Sequence, residues 1–257
     1  MGVVNVTPDS FSDGGEFLDT ERAVEHGRGL VEEGADLLDI GGESTRPGAD
    51  AVTKDRELER VGPVIQGLVD AGARISIDTA KRAVAEVALD GGAEIVNDVT
   101  ALRGDPEMAA LCADRRCGVV LMHMQGTPRT MQSSPSYDDV VDDVKAFLAE
   151  RIEYATGEGV AGERIWVDPG IGFGKTVEHN LELLRRLGEL RDLGCPICVG
   201  TSRKSFIGKI TGRDVDERLA GTIATNVLAL AGGAEVFRVH DVSEVREALS
   251  LAQAVLG

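Results

Sequence analysis

The chain predicts an α/β fold, a single (β/α)8 barrel. Short apolar runs alternate with segments of helical spacing eight times over. The runs are apolar throughout, as strands of a parallel sheet covered on both faces are. The length, 257 residues, lies near the roughly 250 of one such barrel. An open doubly wound sheet is the runner-up, but it wants a G-x-G-x-x-G turn after the first strand, and none stands there. No Pro/Ser-rich linker or charge block divides the chain, so residues 1–257 are expected to form one domain.

Each strand candidate ends in polar residues. Val3-Val4 leads into Asn5 and Asp9, and the run 37–40 into Gly41 to Arg46. Ile75-Ser76-Ile77 ends at Asp78, Ile95-Val96 at Asn97, and the run 119–122 at His123. Ile165-Trp166-Val167 ends at Asp168, Ile197-Cys198-Val199 at Gly200 to Lys204, and Val236-Phe237 at Arg238. Parallel barrels place their chemistry at the carboxyl ends of the strands. Apolar residues three and four apart predict helices over 20–33, 55–71, 81–89, 106–113, 138–154, 178–193, 217–231 and 243–255. Ser136 is the expected cap of the fifth. The connections 7–19 and 41–54 exceed the usual 4–6 residues or so, and their polar content makes them candidate lids.

A net charge of -17 argues against nonspecific binding to nucleic acid or to an anionic membrane. No stretch is long and apolar enough to span a bilayer, and no signal peptide is evident, so the expected location is cytoplasmic. Cys195 and Cys198 have C-x-x-C spacing, but no second pair completes a zinc site. They are expected to pack as small apolar residues.

Four groups are candidates for chemistry. Asp168 opens the Gly-rich stretch 168–175, where a carboxylate can accept two hydrogen bonds from a flat ligand approaching the backbone. Ser202, Arg203, Lys204 and Ser205 converge where a helical turn can start, which favours an anion or a ligand carbonyl. Arg238 and His240 fall on one side of the eighth strand end, a frequent phosphate site in barrels. Asn5, Asp78 and Asn97 face the same mouth and suit a heterocycle rich in donors and acceptors. Asp39 and Glu43 are expected to be buried hydrogen-bonding residues that hold a loop. His26 and His179 are expected at the surface, and His123 has no partner identifiable from sequence.

The stretches 5–15, 41–48 and 121–128, together with Asp168-Pro169-Gly170, Gly172 to Lys175, Ser202 to Ser205 and Arg238 to Asp241, resemble dihydropteroate synthase, in order and across essentially the whole chain. The resemblance implies a TIM barrel that joins 6-hydroxymethyl-7,8-dihydropterin pyrophosphate to p-aminobenzoate. It implies that Asp78, Asn97, Asp168 and Lys204 hold the pterin and that Met122 packs on its ring. Thr45, Arg46, Arg238 and His240 are then the pyrophosphate contacts. Phe11, Pro47, Phe173 and Ser205 frame the p-aminobenzoate site, and Asn5 takes part in binding Mg²⁺. Asp9, Lys204 and Arg238 are the implied catalytic groups. A homodimer through the outer helices is implied as well. Family members usually carry residues ahead of the first strand, so the barrel's bottom is expected to be less well plugged here. Two other readings stay open at this point: a methyltetrahydrofolate-binding barrel of the corrinoid methyltransferase type, and a non-catalytic barrel.

Overall fold

Eight parallel strands form in the computed structural model, which describes residues 1–7, 16–46 and 48–257. They are β1 (Gly2–Asn5), β2 (Leu37–Gly41), β3 (Arg74–Asp78), β4 (Ile95–Asp98), β5 (Gly118–Met122), β6 (Ile165–Asp168), β7 (Cys198–Val199) and β8 (Val236–Phe237). β1 to β6 pair in sequence order, and β7 pairs with β8. Single parallel bridges, Val167 to Ile197 and Gly2 to Val239, join the two sets. The amides of Val3 and Val239 bond across the β8–β1 seam to the carbonyls of Val239 and Met1, at 3.1 and 2.9 Å. The barrel is therefore closed, as the alternation of runs predicts.

The helices are α1 (Glu16–Glu32), α2 (Lys54–Leu68), α3 (Arg82–Asp90), α4 (Met108–Arg115), α5 (Val140–Gly157), α6 (Val177–Arg185), α7 (Ser205–Thr211), α8 (Leu219–Ala231) and α9 (Val242–Leu256). Two expectations need correction. The segment 178–193 is not one helix, because α6 stops at Arg185 and a 3-10 turn runs from Leu187 to Leu193. Gly188 sits in that turn, where glycine weakens an α-helix. Ser136 does not cap α5. Asp139 does, accepting from Val141 N and Asp142 N at 2.9 and 3.0 Å. The backbone of Ser136 is instead paired with the side-chain amide of Gln125.

Strand alternation sorts the residues into two layers. Leu38, Ile40, Ile75, Ile77, Val96, Val119, Leu121, Ile165, Val167, Ile197 and Val199 pack outward against the helices in one large core. Leu37, Ile95, Val120 and Cys198 point inward and make a separate cluster with Met1, Trp166 and Val236. That inner cluster fills the amino-terminal end of the barrel, and a cavity of about 620 Å³ lies beside it against α9. Further along β2, β3, β4, β6 and β8 the inward positions are polar: Asp39, Asp78, Asn97, Asp168 and Arg238. The barrel is thus apolar at its base and charged at its mouth.

The loop after β6 is shaped by glycines. Gly170, Gly172 and Gly174 all have positive φ, at 68, 85 and 63°. A Cβ on Gly170 would lie 1.9 Å from the carbonyl oxygen of His123. Only glycine meets both constraints. Replacing it, Gly170→Ala, is expected to cost about 2–4 kcal/mol through strain and overpacking. Urea denaturation measures this, and a loss below about 0.5 kcal/mol would show that the close approach is not enforced.

Candidate active site

Arg238 is the centre of the mouth. Its Nε donates to Asp39 Oδ2 at 2.6 Å, and its Nη2 donates to Asp78 Oδ2 at 3.0 Å. Asn97 Nδ2 donates to the same Asp39 oxygen at 3.0 Å. Asp39 is completely buried. It is the buried hydrogen-bonding residue the sequence predicts, but what it holds is Arg238 and Asn97 inside the barrel and not a loop. Burial pushes Asp78 up to about 7, with the charge on Asp39 adding to the rise and Arg238 opposing it. Burial also works against the charge on Arg238, yet Asp39 and Asp78 together hold its pKa above the ordinary value.

Asp168 ends β6, is buried, and accepts from Gly170 N at 2.7 Å. Burial raises its pKa, while that bond and the charges on Lys204, Lys175 and Arg238 oppose the rise. Lys204 precedes the first turn of α7. Its Nζ lies 4.1 Å from the centre of the Phe173 ring, a cation–π distance. Burial pulls Lys204 down to about 8, the neighbouring Arg238 adding and the carboxylates of Asp168 and Asp78 opposing. Phe173 also packs on the buried group Val99, Met122, Met124 and Met131. Met122 and Phe173 therefore supply an apolar wall beside the charges.

His240 and Ser202 form a second polar pair. His240 N donates to Ser202 Oγ at 3.2 Å, and Ser202 Oγ lies 3.0 Å from His240 Nδ1. Burial, aided by Arg238 and Arg203, pulls His240 down to about 3, so its ring is neutral at pH 7. With the serine hydroxyl donating to Nδ1, the ring proton belongs on Nε2, which becomes a donor. Arg203 bridges to Asp241 at 2.5 and 3.1 Å and ties the loops after β7 and β8 together. Ser205 is exposed at the start of α7.

The second loop is anchored at its base. Lys81 Nζ donates to Glu43 Oε2 and to Glu57 Oε2, each at 2.5 Å. Val52 N donates to Glu43 Oε1 at 2.8 Å, so Glu43 holds this loop as expected. Gly48 N reaches Pro128 O at 3.1 Å, joining it to the loop after β5. Thr45 is half-buried in this segment and Arg46 is exposed. Asn5 ends β1, partly buried, in register with Gly41. Asp9, Phe11 and Pro47 lie outside the described residues.

Sequence reasoning missed Lys175. Its Nζ is buried and lies 2.9 Å from His123 Nδ1, which gives His123 the partner it lacked. No spacing signal links positions 52 apart. His179 is partly buried and caps α6 in a reciprocal pair with Thr176, whereas His26 is exposed. All four cysteines are free, and Cys198 packs in the inner apolar cluster. Among the described residues, no helix is long and apolar enough to cross a membrane.

Comparison with known proteins agrees with this geometry. The family described as "Pterin binding enzyme" matches residues 1–240. The dihydropteroate synthase of Synechocystis is 47% identical over 257 residues, covering 99% of this chain and 89% of its own. That of Escherichia coli K12 is 44% identical, covering 100% and 91%. The Xanthomonas albilineans dihydropteroate synthase solved with 4-aminobenzoic acid superposes with a TM-score of 0.94 at 50% identity, covering 100% of this chain and 92% of that one. The same enzyme solved in complex with 7,8-dihydropteroate gives a TM-score of 0.91 at 47% identity. The polar mouth, the closed barrel and these full-length matches lead to one assignment: the chain belongs to the dihydropteroate synthase family of pterin-binding enzymes.

Proposed function

We propose that this barrel, acting as one domain over residues 1–257, condenses 6-hydroxymethyl-7,8-dihydropterin pyrophosphate with p-aminobenzoate to give 7,8-dihydropteroate and pyrophosphate. The observation that carries the reading is the convergence of Asp78, Asn97, Asp168, Lys204 and Arg238 on one mouth. A flat heterocycle with donors on one edge and a carbonyl on another matches carboxylates facing an ammonium. In this reading Asp168, Asp78 and Asn97 bind the pterin edge, Lys204 donates to its carbonyl, and Met122 packs on its face. Arg238 and His240 Nε2 donate to phosphate oxygens, joined by Thr45 and Arg46 from the second loop. Phe173 and Ser205, with Phe11 and Pro47, frame the arylamine. The methyltransferase-type and non-catalytic alternatives find no support among relatives at 44–50% identity that are named dihydropteroate synthase.

The donor set at the end of β1 fits Mg²⁺. Asn5 offers a hard carbonyl oxygen, and among the described residues no three His, Cys, Asp or Glu side chains form a metal cage. Mg²⁺ is commonly held by one or two protein oxygens together with substrate phosphates. The ion, bound with the pyrophosphate, would neutralise part of the leaving group's charge. The chain's own groups do the rest. As the C–O bond to pyrophosphate breaks, its electron pair leaves with the oxygen, and Arg238 and His240 stabilise the departing anion. The dihydropterin ring spreads the positive charge left on the methylene carbon, and the family resemblance gives Asp9 the role of stabilising it. The neutral arylamine then attacks through its lone pair and loses a proton afterwards. This path is SN1-like and relies on orientation more than on base catalysis. We assign the enzyme to a reducing cytoplasm, which suits its four free cysteines, and to a homodimer through the outer helices on the family resemblance.

Pyrophosphate release should depend on both substrates and on Mg²⁺. Absent release at saturating pterin pyrophosphate would refute the reading. Asp168→Ala should weaken pterin binding by about 10- to 100-fold, the range for a lost charged hydrogen bond. Unchanged affinity by calorimetry would remove Asp168 from the site. Pterin affinity should also depend on pH. Asp78 accepts hydrogen bonds as a carboxylate and takes a proton below about 7, while Lys204 loses its charge above about 8. Affinity should therefore rise through the first value, fall through the second, and lose its alkaline limb in Lys204→Met. A flat profile would contradict both assignments.

A further inference from the structure

We propose that Lys175 is a positioning residue for the arylamine side of the active site, a buried strut between the end of β5 and the loop after β6. The proposal rests on the assignment of Phe173 to the arylamine site. Lys175 is only 3% exposed. Its Nζ faces three acceptors: His123 Nδ1 at 2.9 Å, Phe173 O at 3.0 Å and His123 O at 3.5 Å. Two of these lie directly after Met122 on β5, and the third is the backbone of Phe173. One side chain thus ties the backbone of Phe173, on the apolar wall of the pocket, to His123 at the end of β5.

The loop needs such a link. Gly172 and Gly174 flank Phe173, both in the left-handed region, so the local chain does little to fix the ring by itself. External bonds do it instead. Gln132 Nε2 donates to Gly172 O at 2.7 Å, and Tyr137 Oη donates to Gly174 O at 2.7 Å. Lys175 holds the carbonyl between them. The Phe173 ring then rests over Lys204, 4.1 Å from Nζ. Moving the Phe173 backbone would move both the ring and its contact with that ammonium.

Burying an amine is costly without such a function. Desolvation pulls Lys175 down to about 7 and His123 to about 2. His123 is accordingly neutral and free to accept at Nδ1. Its ring packs edge-on to Phe147 at 4.9 Å and lies 5.9 Å from Tyr137, which holds the acceptor in place. A methionine would fill the same volume without desolvation cost, so packing alone does not call for lysine.

The test is steady-state kinetics with both substrates varied. Lys175→Met should raise KM for p-aminobenzoate about tenfold while moving KM for pterin pyrophosphate less than about threefold, as expected from lost hydrogen bonds on one wall only. His123→Phe keeps the ring and removes the Nδ1 acceptor. It should shift the same constant in the same direction, and it decides the matter if Lys175→Met does not fold. Equal shifts in both constants, or an unchanged amine KM, would overturn the strut. Phe173→Ala separates the two levels of inference. If it leaves the amine KM unchanged, the arylamine assignment itself fails. If it raises that KM while folded Lys175→Met does not, only the strut fails.

Discussion

The active site depends on one buried ionic contact, Arg238 held by Asp39 and Asp78 across the barrel mouth. Two carboxylates and one guanidinium share a space from which water is largely excluded. Breaking such a group from one side leaves an uncompensated buried charge, so each member constrains the others. Asp39 lies deepest and has no exposure. It therefore works as a fixed anchor, while the partly exposed Arg238 lies nearer the opening. The surplus of negative charge at this point makes a resident cation the stable arrangement. An acidic chain can thus hold a buried cation at its barrel mouth without a basic surface.

The barrel makes that contact possible. Asp78 and Asn97 are register partners on β3 and β4, Asp39 on β2 lies one inward position lower beside Ser76, and the long Arg238 side chain from β8 spans both levels. Below these levels the inward positions are apolar and pack on Trp166 and Met1. The apolar plug keeps water from the carboxylates on one side. The loops after β2, β5, β6 and β7 surround them on the other, and they are braced to one another. Gly48 meets Pro128, Gln132 meets Gly172, and Arg203 meets Asp241. The pocket's shape is therefore a property of loop–loop contacts as much as of the strands.

Much of this was legible in the sequence. The eight apolar runs gave the closed parallel barrel, and their polar ends marked Asp78, Asn97, Asp168, Lys204 and Arg238. Those residues do meet at one mouth. The errors lay where a local pattern has competing outcomes. Residues 178–193 carry helical spacing throughout, but α6 ends at Arg185 and a 3-10 turn that contains Gly188 follows it. Ser136 and Asp139 are both good cap residue types, but only Asp139 directly precedes Val140, where α5 starts.

The sequence by itself determined the period of the elements and the chemical type at each strand end, because both depend on near neighbours. It could not determine which charges pair. Arg238 and Asp39 are 199 positions apart, and Lys175 and His123 are 52 apart. Such contacts arise only when barrel closure brings distant strand ends to one level. The partner of His123, the inward role of Asp39 and the tautomer of His240 were therefore decided by tertiary structure. Each follows from burial, which makes a polar group take whatever partner the fold places beside it.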